Sequence, residues 1–236
     1  MPQPSDDVWE VLSTARSIRR FTDEPVDDAT LQRCLEAATW APNGANFQAW
    51  RFIVIRDAEQ RAVIGEAARR ALAVIEPVYK MTRPADDDMS RAARNNRATY
   101  ELHDRAAEFT SVLFVTFNYS KVASELLLGG SIFPAVENFL LAARALGLGA
   151  CLTSWASYGG EHLLREAVGI PDGWLLAGHV VVGWPRGKHG PVRRRPLSDV
   201  VDLDRFDAPA VPITGERSEG ARRDVLQTRD LEARAR

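Results

Sequence analysis

The densest apolar run in the chain lies between Ser131 and Trp155, SIFPAVENFLLAARALGLGACLTSW. Ile132, Phe133, Val136, Phe139, Leu140, Leu141, Ala143 and Leu146 fall on more than one helical face, which predicts a helix buried in a core. Glu137, Asn138 and Arg144 are its few polar positions, and Gly147 and Gly149 end it, glycine being the usual helix stop. Ala150 to Ser154 then predicts a short buried strand with the hydroxyls of Thr153 and Ser154 at its end. Such an arrangement carries polar atoms to a ligand, and it equally suits an ordinary core helix and strand.

On either side the pattern alternates between helical and strand periods. Asp6 or Asp7 can cap a helix to about Thr14, with Val8, Val11 and Leu12 on one face. Asp27 or Asp28 can cap a second helix, in which Leu31, Cys34, Leu35 and Ala38 recur at helical spacing up to about Trp40. Ala41 to Gln48 (APNGANFQ) is a loop by composition. Arg51 to Arg56 reads as a strand, Glu59 to Ile75 as a helix, Tyr100 to Ala107 as helical and Val112 to Asn118 as a buried strand. Glu161 to Val168 reads as a short helix. Trp174 to Val182 is too continuously apolar for a strand with a wet face. Residues 76–97 lose periodicity, with two prolines and an Asp triplet, and suggest a lid or a solvated loop. Residues 214–236 are polar, charge-mixed and expected to be a mobile tail, leaving one domain over 1–213.

The chain has 236 residues, 45% hydrophobic and 26% charged, enough for a sizeable core, and its formal charge of −2 gives no sign of a nucleic-acid partner. Cys34 and Cys151 are too few for a disulfide scaffold or a zinc site, which points to a reducing, cytoplasmic setting. No signal peptide is visible, and no apolar run approaches the ~20 residues that span a bilayer, so no membrane association is expected.

The usual hydrolase, metalloprotease and nucleotide-loop motifs are missing, and His103, His162, His179 and His189 are scattered. His179, inside an apolar strand, reads as a satisfied core histidine. Two basic clusters remain. Arg16, Ser17, Arg19 and Arg20 form the first, and Arg193, Arg194 and Arg195 the second. Arginine offers a planar fork of donors to phosphate oxygens and serine adds a neutral bond, so separate segments can clamp one phosphate; solvated basic turns are the alternative. The loop Pro42 to Gln48 has backbone N–H groups and amide side chains that suit the edge of a flat heteroaromatic ring, or it is a plain helix-to-strand connection.

Arg16-Ser17-Ile18-Arg19-Arg20-Phe21, followed by Ala41-Pro42-Asn43-Gly44-Ala45-Asn46-Phe47-Gln48-Ala49-Trp50-Arg51-Phe52, resembles the RSxRxF and APSGxNxQPWxF motifs of the nitroreductase family of FMN-dependent oxidoreductases. The central apolar stretch and the later RRRPLSDVV resemble that family too, so the likeness runs from about Val8 to Asp204. It implies an α+β three-layer sandwich, a mostly antiparallel sheet flanked by helices around a long central helix, in an intertwined homodimer with FMN at the interface. By motif, Arg16, Ser17, Arg19, Arg20 and Arg194 would hold the phosphate and ribityl chain. Pro42, Asn43, Gly44 and Asn46 would approach the flavin from the other subunit, and Leu152, Thr153 and Ser154 would lie beside its edge. Ala15, Asn43 and Ala49 depart from the family pattern, where arginine, serine and proline are usual.

The resemblance implies a ping-pong cycle: hydride from NADPH or NADH to flavin N5, then to a small flat acceptor such as a nitroaromatic or quinone. No side chain is required as a general acid. Arg97, Tyr100 and Trp155 are candidate substrate contacts. The same fold admits specialised reactions (dehalogenation, flavin cleavage, dehydrogenation of a natural product, a deazaflavin donor) and non-catalytic flavin sequestration.

Overall fold

The computed structural model describes residues 3–119, 124–187 and 189–216. The chain divides into two compact units, Met1–Pro191 and Val192–Arg236.

In the first unit, α1 (Val8–Thr14) and α2 (Asp28–Thr39) begin at aspartates whose carboxylates accept backbone N–H groups three residues on, Asp7 from Glu10 and Asp27 from Thr30. The four-stranded sheet has the order β1-β2-β4-β3 and every pairing in it is antiparallel. Its strands are β1 (Trp50–Ile55), β2 (Thr110–Phe117), β3 (Gly149–Thr153) and β4 (Trp174–Gly183). Alternation across β2 and β4 sorts two cores. Val112, Phe114, Val180 and Val182 join α2 and α5 (Glu125–Ala145) on one face. Leu113 and Val181 face α3 (Ala58–Tyr79), α4 (Arg91–Asp104) and α6 (Glu161–Val168) on the other. Helices, sheet, helices: the three-layer sandwich with a mostly antiparallel sheet is the fold observed.

Two sequence expectations change. The irregular stretch expected at 76–97 shrinks to residues 80–90, because α3 runs through Pro77 to Tyr79 and α4 starts at Arg91 behind a Ser90 cap. Pro77 reads as a stop, and the helix does end two residues beyond it, at Tyr79. The central helix starts earlier than expected, at Glu125, and includes Pro134.

At 21 residues and a mean hydropathy of 1.6, α5 is long and apolar enough to cross a membrane by length and composition, which corrects the expectation that no run qualifies. Its packing argues for a core helix instead. Arg144 pairs with Glu10 at 3.0 Å and donates to Thr14, and Asn138 donates to the Ala37 carbonyl. The helix is not buried all round, however: Leu126, Leu127 and Phe133 are exposed, at 87%, 60% and 46%.

The second unit, described to Glu216, holds a short 3-10 turn at Leu197–Asp199, a bridge between Asp202 and Pro209 and α7 (Val211–Thr214). The rest of the expected tail, residues 217–236, lies outside the described residues.

Candidate functional site

After α1 the chain turns extended at Ala15 and runs along the free edge of β3. Ser17 forms a parallel bridge with Ala150, and the Ile18 N–H donates to the Ala150 carbonyl at 2.9 Å. Phe21 then bridges Pro185 beyond the end of β4, and the Thr22 N–H donates to Trp184 at 2.8 Å. Ile18 and Phe21 are buried, which leaves Arg16, Ser17, Arg19 and Arg20 on the outside. The approach to β3 is close. A Cβ at Gly149 would come within 2.7 Å of the Ile18 side chain, so glycine is what lets this basic segment lie on the edge strand.

The four residues are not equivalent. Arg20 is engaged by Glu101 at 3.0 Å, and Glu101 also pairs with Arg186. Ser17 is exposed beside the buried Cys151, whose thiol burial pushes above its ordinary pKa and which donates to the Leu152 carbonyl at 3.6 Å. Arg16 and Arg19 are exposed, and among the described residues neither has a hydrogen bond or ion pair. Two unengaged guanidinium groups beside a strand edge are what an anionic group would need.

The end of β3 brings the expected polar atoms to the same edge. Because the Ala150 carbonyl faces outward to Ile18, strand alternation turns the N–H and carbonyl of Leu152 outward as well. The Leu152 side chain is 39% exposed and Ser154 is exposed just past the strand. Thr153 turns its hydroxyl inward: Oγ1 lies 2.9 Å from Nδ1 of His179 and 3.2 Å from the His179 carbonyl.

The loop of Pro42, Asn43, Gly44 and Asn46 is more self-contained than its composition suggests. The Asn43 side chain accepts the Gln48 N–H at 2.9 Å, and the Gly44 N–H donates to Ser131 Oγ of α5 at 3.2 Å. Asn46 and Phe47 N–H groups donate to the carbonyls of Asn43 and Gly44. The backbone donors expected to be free are therefore largely engaged within the protein. Left-handed backbone at Ala45, Asn46 and Gln48, with φ of 50°, 55° and 48°, holds the loop in this shape. The loop precedes β1, the opposite edge of the sheet from β3. Three strand spacings, roughly 14 Å, separate the two edges, so one chain does not bring both motifs onto one ring.

The three expected substrate contacts have other surroundings. The Arg97 guanidinium donates to the carbonyls of Ala85 (3.0 Å) and Asp88, pinning the 80–90 connection. Tyr100 is buried beneath the Arg83 guanidinium, 4.4 Å from its ring centre, and Arg83 pairs with Asp104. Trp155 is 2% exposed and its Nε1–H donates to His103 Nε2 at 2.9 Å. Among the described residues, Arg97 Nε and the Tyr100 hydroxyl are buried without a hydrogen-bond partner. Arg194 lies in the second unit, exposed, with one guanidinium nitrogen on the Arg193 carbonyl at 3.1 Å. Sequence reasoning missed Glu101, which ties Arg20 to Arg186, and the His179 contact of Thr153; no periodicity or motif announces either.

A family model described as the nitroreductase family matches residues 12–184. A 5,6-dimethylbenzimidazole synthase of Rhodospirillum rubrum is 29% identical over 199 residues, covering 80% of this chain and 86% of that protein. An FMN reductase [NAD(P)H] of Bacillus subtilis is 28% identical over 197 residues, covering 83% and 72%. Among solved structures, a putative nitroreductase in complex with FMN from Desulfovibrio desulfuricans superimposes with a TM-score of 0.61 at 25% identity, covering 86% of this chain and 99% of that one. The family match spans the basic edge segment, the loop, all four strands and the central helix, and the chain belongs to the nitroreductase family.

Proposed function

We propose that this chain is an FMN-dependent oxidoreductase that draws on NADH or NADPH and reduces a small, flat, electrophilic acceptor by a ping-pong cycle. The observation that carries the reading is the β3 edge. Arg16 and Arg19 stand there without partners among the described residues, the outward N–H of Leu152 lies further along the strand and the hydroxyl of Ser154 just past its end. A phosphate at one end and the edge of a ring at the other suit this spacing of cations and donors.

In this reading Arg16 and Arg19 grip the phosphate, with Ser17 beside them, and the family motif adds Arg194 to the same group. Arg20 orients Arg186 through their shared Glu101. Leu152, Thr153 and Ser154 line the ring edge, where N–H donors stabilise negative charge. FMN, when bound, supplies the hydride chemistry, so no acid–base pair of side chains is required. Pro42, Gly44 and Asn46 serve the second subunit's site, because they sit at the opposite sheet edge from their own chain's basic segment. A homodimer with one flavin in each of two shared clefts follows, and the exposed apolar face of α5 supports it. The names of the Bacillus and Desulfovibrio proteins support FMN.

A second reading is a specialised reaction on the same site. It is favoured by the likeness to the Rhodospirillum rubrum synthase over 80% of this chain. Anaerobic addition of NADH or NADPH to the FMN-loaded protein separates them. Rapid bleaching followed by reoxidation with a quinone supports the general reductase. Flavin that resists both nicotinamides contradicts it.

A further inference from the structure

We propose that His189 is a further member of the phosphate anchor, its Nε2 donating as an imidazolium to the phosphate that Arg16 and Arg19 hold. The inference rests on the flavin reading above and adds to it a residue that no family motif marks.

The backbone brings His189 to the place. Past β4 the chain lies against the N-terminal basic segment: Pro185 bridges Phe21, and the Arg186 N–H donates to the Arg20 carbonyl at 2.9 Å. Three residues on, the His189 ring is half-buried, and the charges of Arg16 and Arg20 act on it. Its Nε2 is shut off from solvent and has no hydrogen-bond partner among the described residues. A buried polar atom without a partner is costly, and a ligand oxygen among arginines is the group that would relieve it.

The charges around the ring set its behaviour. Burial, and then Arg16 and Arg20, hold its pKa below the ordinary histidine value. Arg186, of its own segment, is ion-paired to Glu101 of α4, as is Arg20. Without a ligand the ring is therefore neutral near pH 7, and its Nε2 is left unpartnered. A phosphate monoester carries nearly two negative charges and reverses the local field. The ring then takes up one proton from solvent, and Nε2–H becomes a charge-assisted donor. Binding is coupled to that proton, so affinity rises as pH falls toward the histidine range.

The test compares FMN with riboflavin, which has the same ring and no phosphate, by fluorescence titration of the apoprotein at about pH 6.5 and about pH 8.5. We expect His189→Ala to weaken FMN roughly tenfold at the lower pH and less at the higher. Riboflavin affinity should be unchanged. His189→Gln, uncharged but able to donate, should recover part of the FMN affinity without its pH dependence. An Ala variant that binds FMN like the wild type overturns the proposal, as does equal loss of FMN and riboflavin. If the wild type binds neither flavin, the functional reading fails and this inference with it; if it binds both and His189→Ala changes nothing, the inference fails alone.

Discussion

Thr153 and His179, paired across β3 and β4, hold each other through two contacts: Oγ1 to Nδ1 at 2.9 Å and Oγ1 to the His179 carbonyl at 3.2 Å. A hydroxyl has one proton. If it goes to the carbonyl, Nδ1–H donates to Oγ1, and Nε2, buried without a partner, is left as a lone pair. The opposite tautomer would bury an unsatisfied N–H, which is the costlier choice. The Thr153 proton is thus committed to the sheet, and toward the β3 edge the side chain can only accept.

The neutrality of His179 has a measurable consequence. Burial pushes its pKa down to about 3, against about 6.5 in the unfolded chain. Above about pH 6.5 neither state holds the proton and the contribution to stability is full. As pH falls from there toward about 3, the unfolded chain binds a proton that the folded one refuses, and stability is lost. Between pH 7 and pH 5 the expected loss from this ring is about 2 kcal/mol. His103, also held low, chiefly by burial, adds in the same direction. Urea unfolding at the two pH values should show His179→Leu less stable at pH 7 but with a flatter pH dependence than the wild type.

Arg16→Ala and Arg19→Ala should each weaken FMN by roughly 10- to 100-fold, the range of a lost charge-assisted bond. Riboflavin binding should barely change. Arg194→Ala belongs to the same class, whereas Arg20→Ala should cost less, since Glu101 already engages it. FMN should raise the thermal midpoint of the wild type more than that of these variants, because a ligand bound to the native state stabilises it. Calorimetry with and without FMN measures both effects.

Gly149→Ala tests the seating of the basic segment. The added methyl would meet Ile18 at 2.7 Å, and Ile18 is buried with little room to move. Destabilisation of about 1–3 kcal/mol is expected from overpacking. FMN affinity should fall with it, as Arg16 and Arg19 are displaced. Unfolding curves and flavin titration on the same variant report the two changes.

The exposed face of α5 makes the dimer testable. Phe133→Glu puts a charge on a position that is 46% exposed in the single chain. Such a change should leave the fold intact and convert a dimer to monomers that have lost FMN, since the cleft is proposed to need both copies. Sedimentation velocity and absorbance on one sample distinguish this from unfolding.

The fold was legible wherever one periodicity dominated. The Asp27 cap and the apolar spacing of Leu31, Cys34 and Ala38 located α2, and the unbroken apolar run at Val180 to Val182 located β4. Pro77 and the Asp triplet misled the reading of 76–97, because a proline near a helix end carries little positional information. The basic edge was legible as a motif, but the division of labour within it was not. Arg20 is tied by Glu101, 81 residues away, and His189 is brought toward the cluster by backbone contacts such as that of Arg186 with Arg20. The free donors expected in the 42–48 loop were overestimated, because composition cannot reveal that Asn43 and Ser131 accept them.

The most direct test of the central claim is the visible spectrum of the purified protein, before and after anaerobic NADH or NADPH. The account predicts a yellow protein that releases FMN on denaturation, is bleached by at least one nicotinamide and recovers its colour when a quinone is added. A protein that is colourless and takes up no FMN would contradict it.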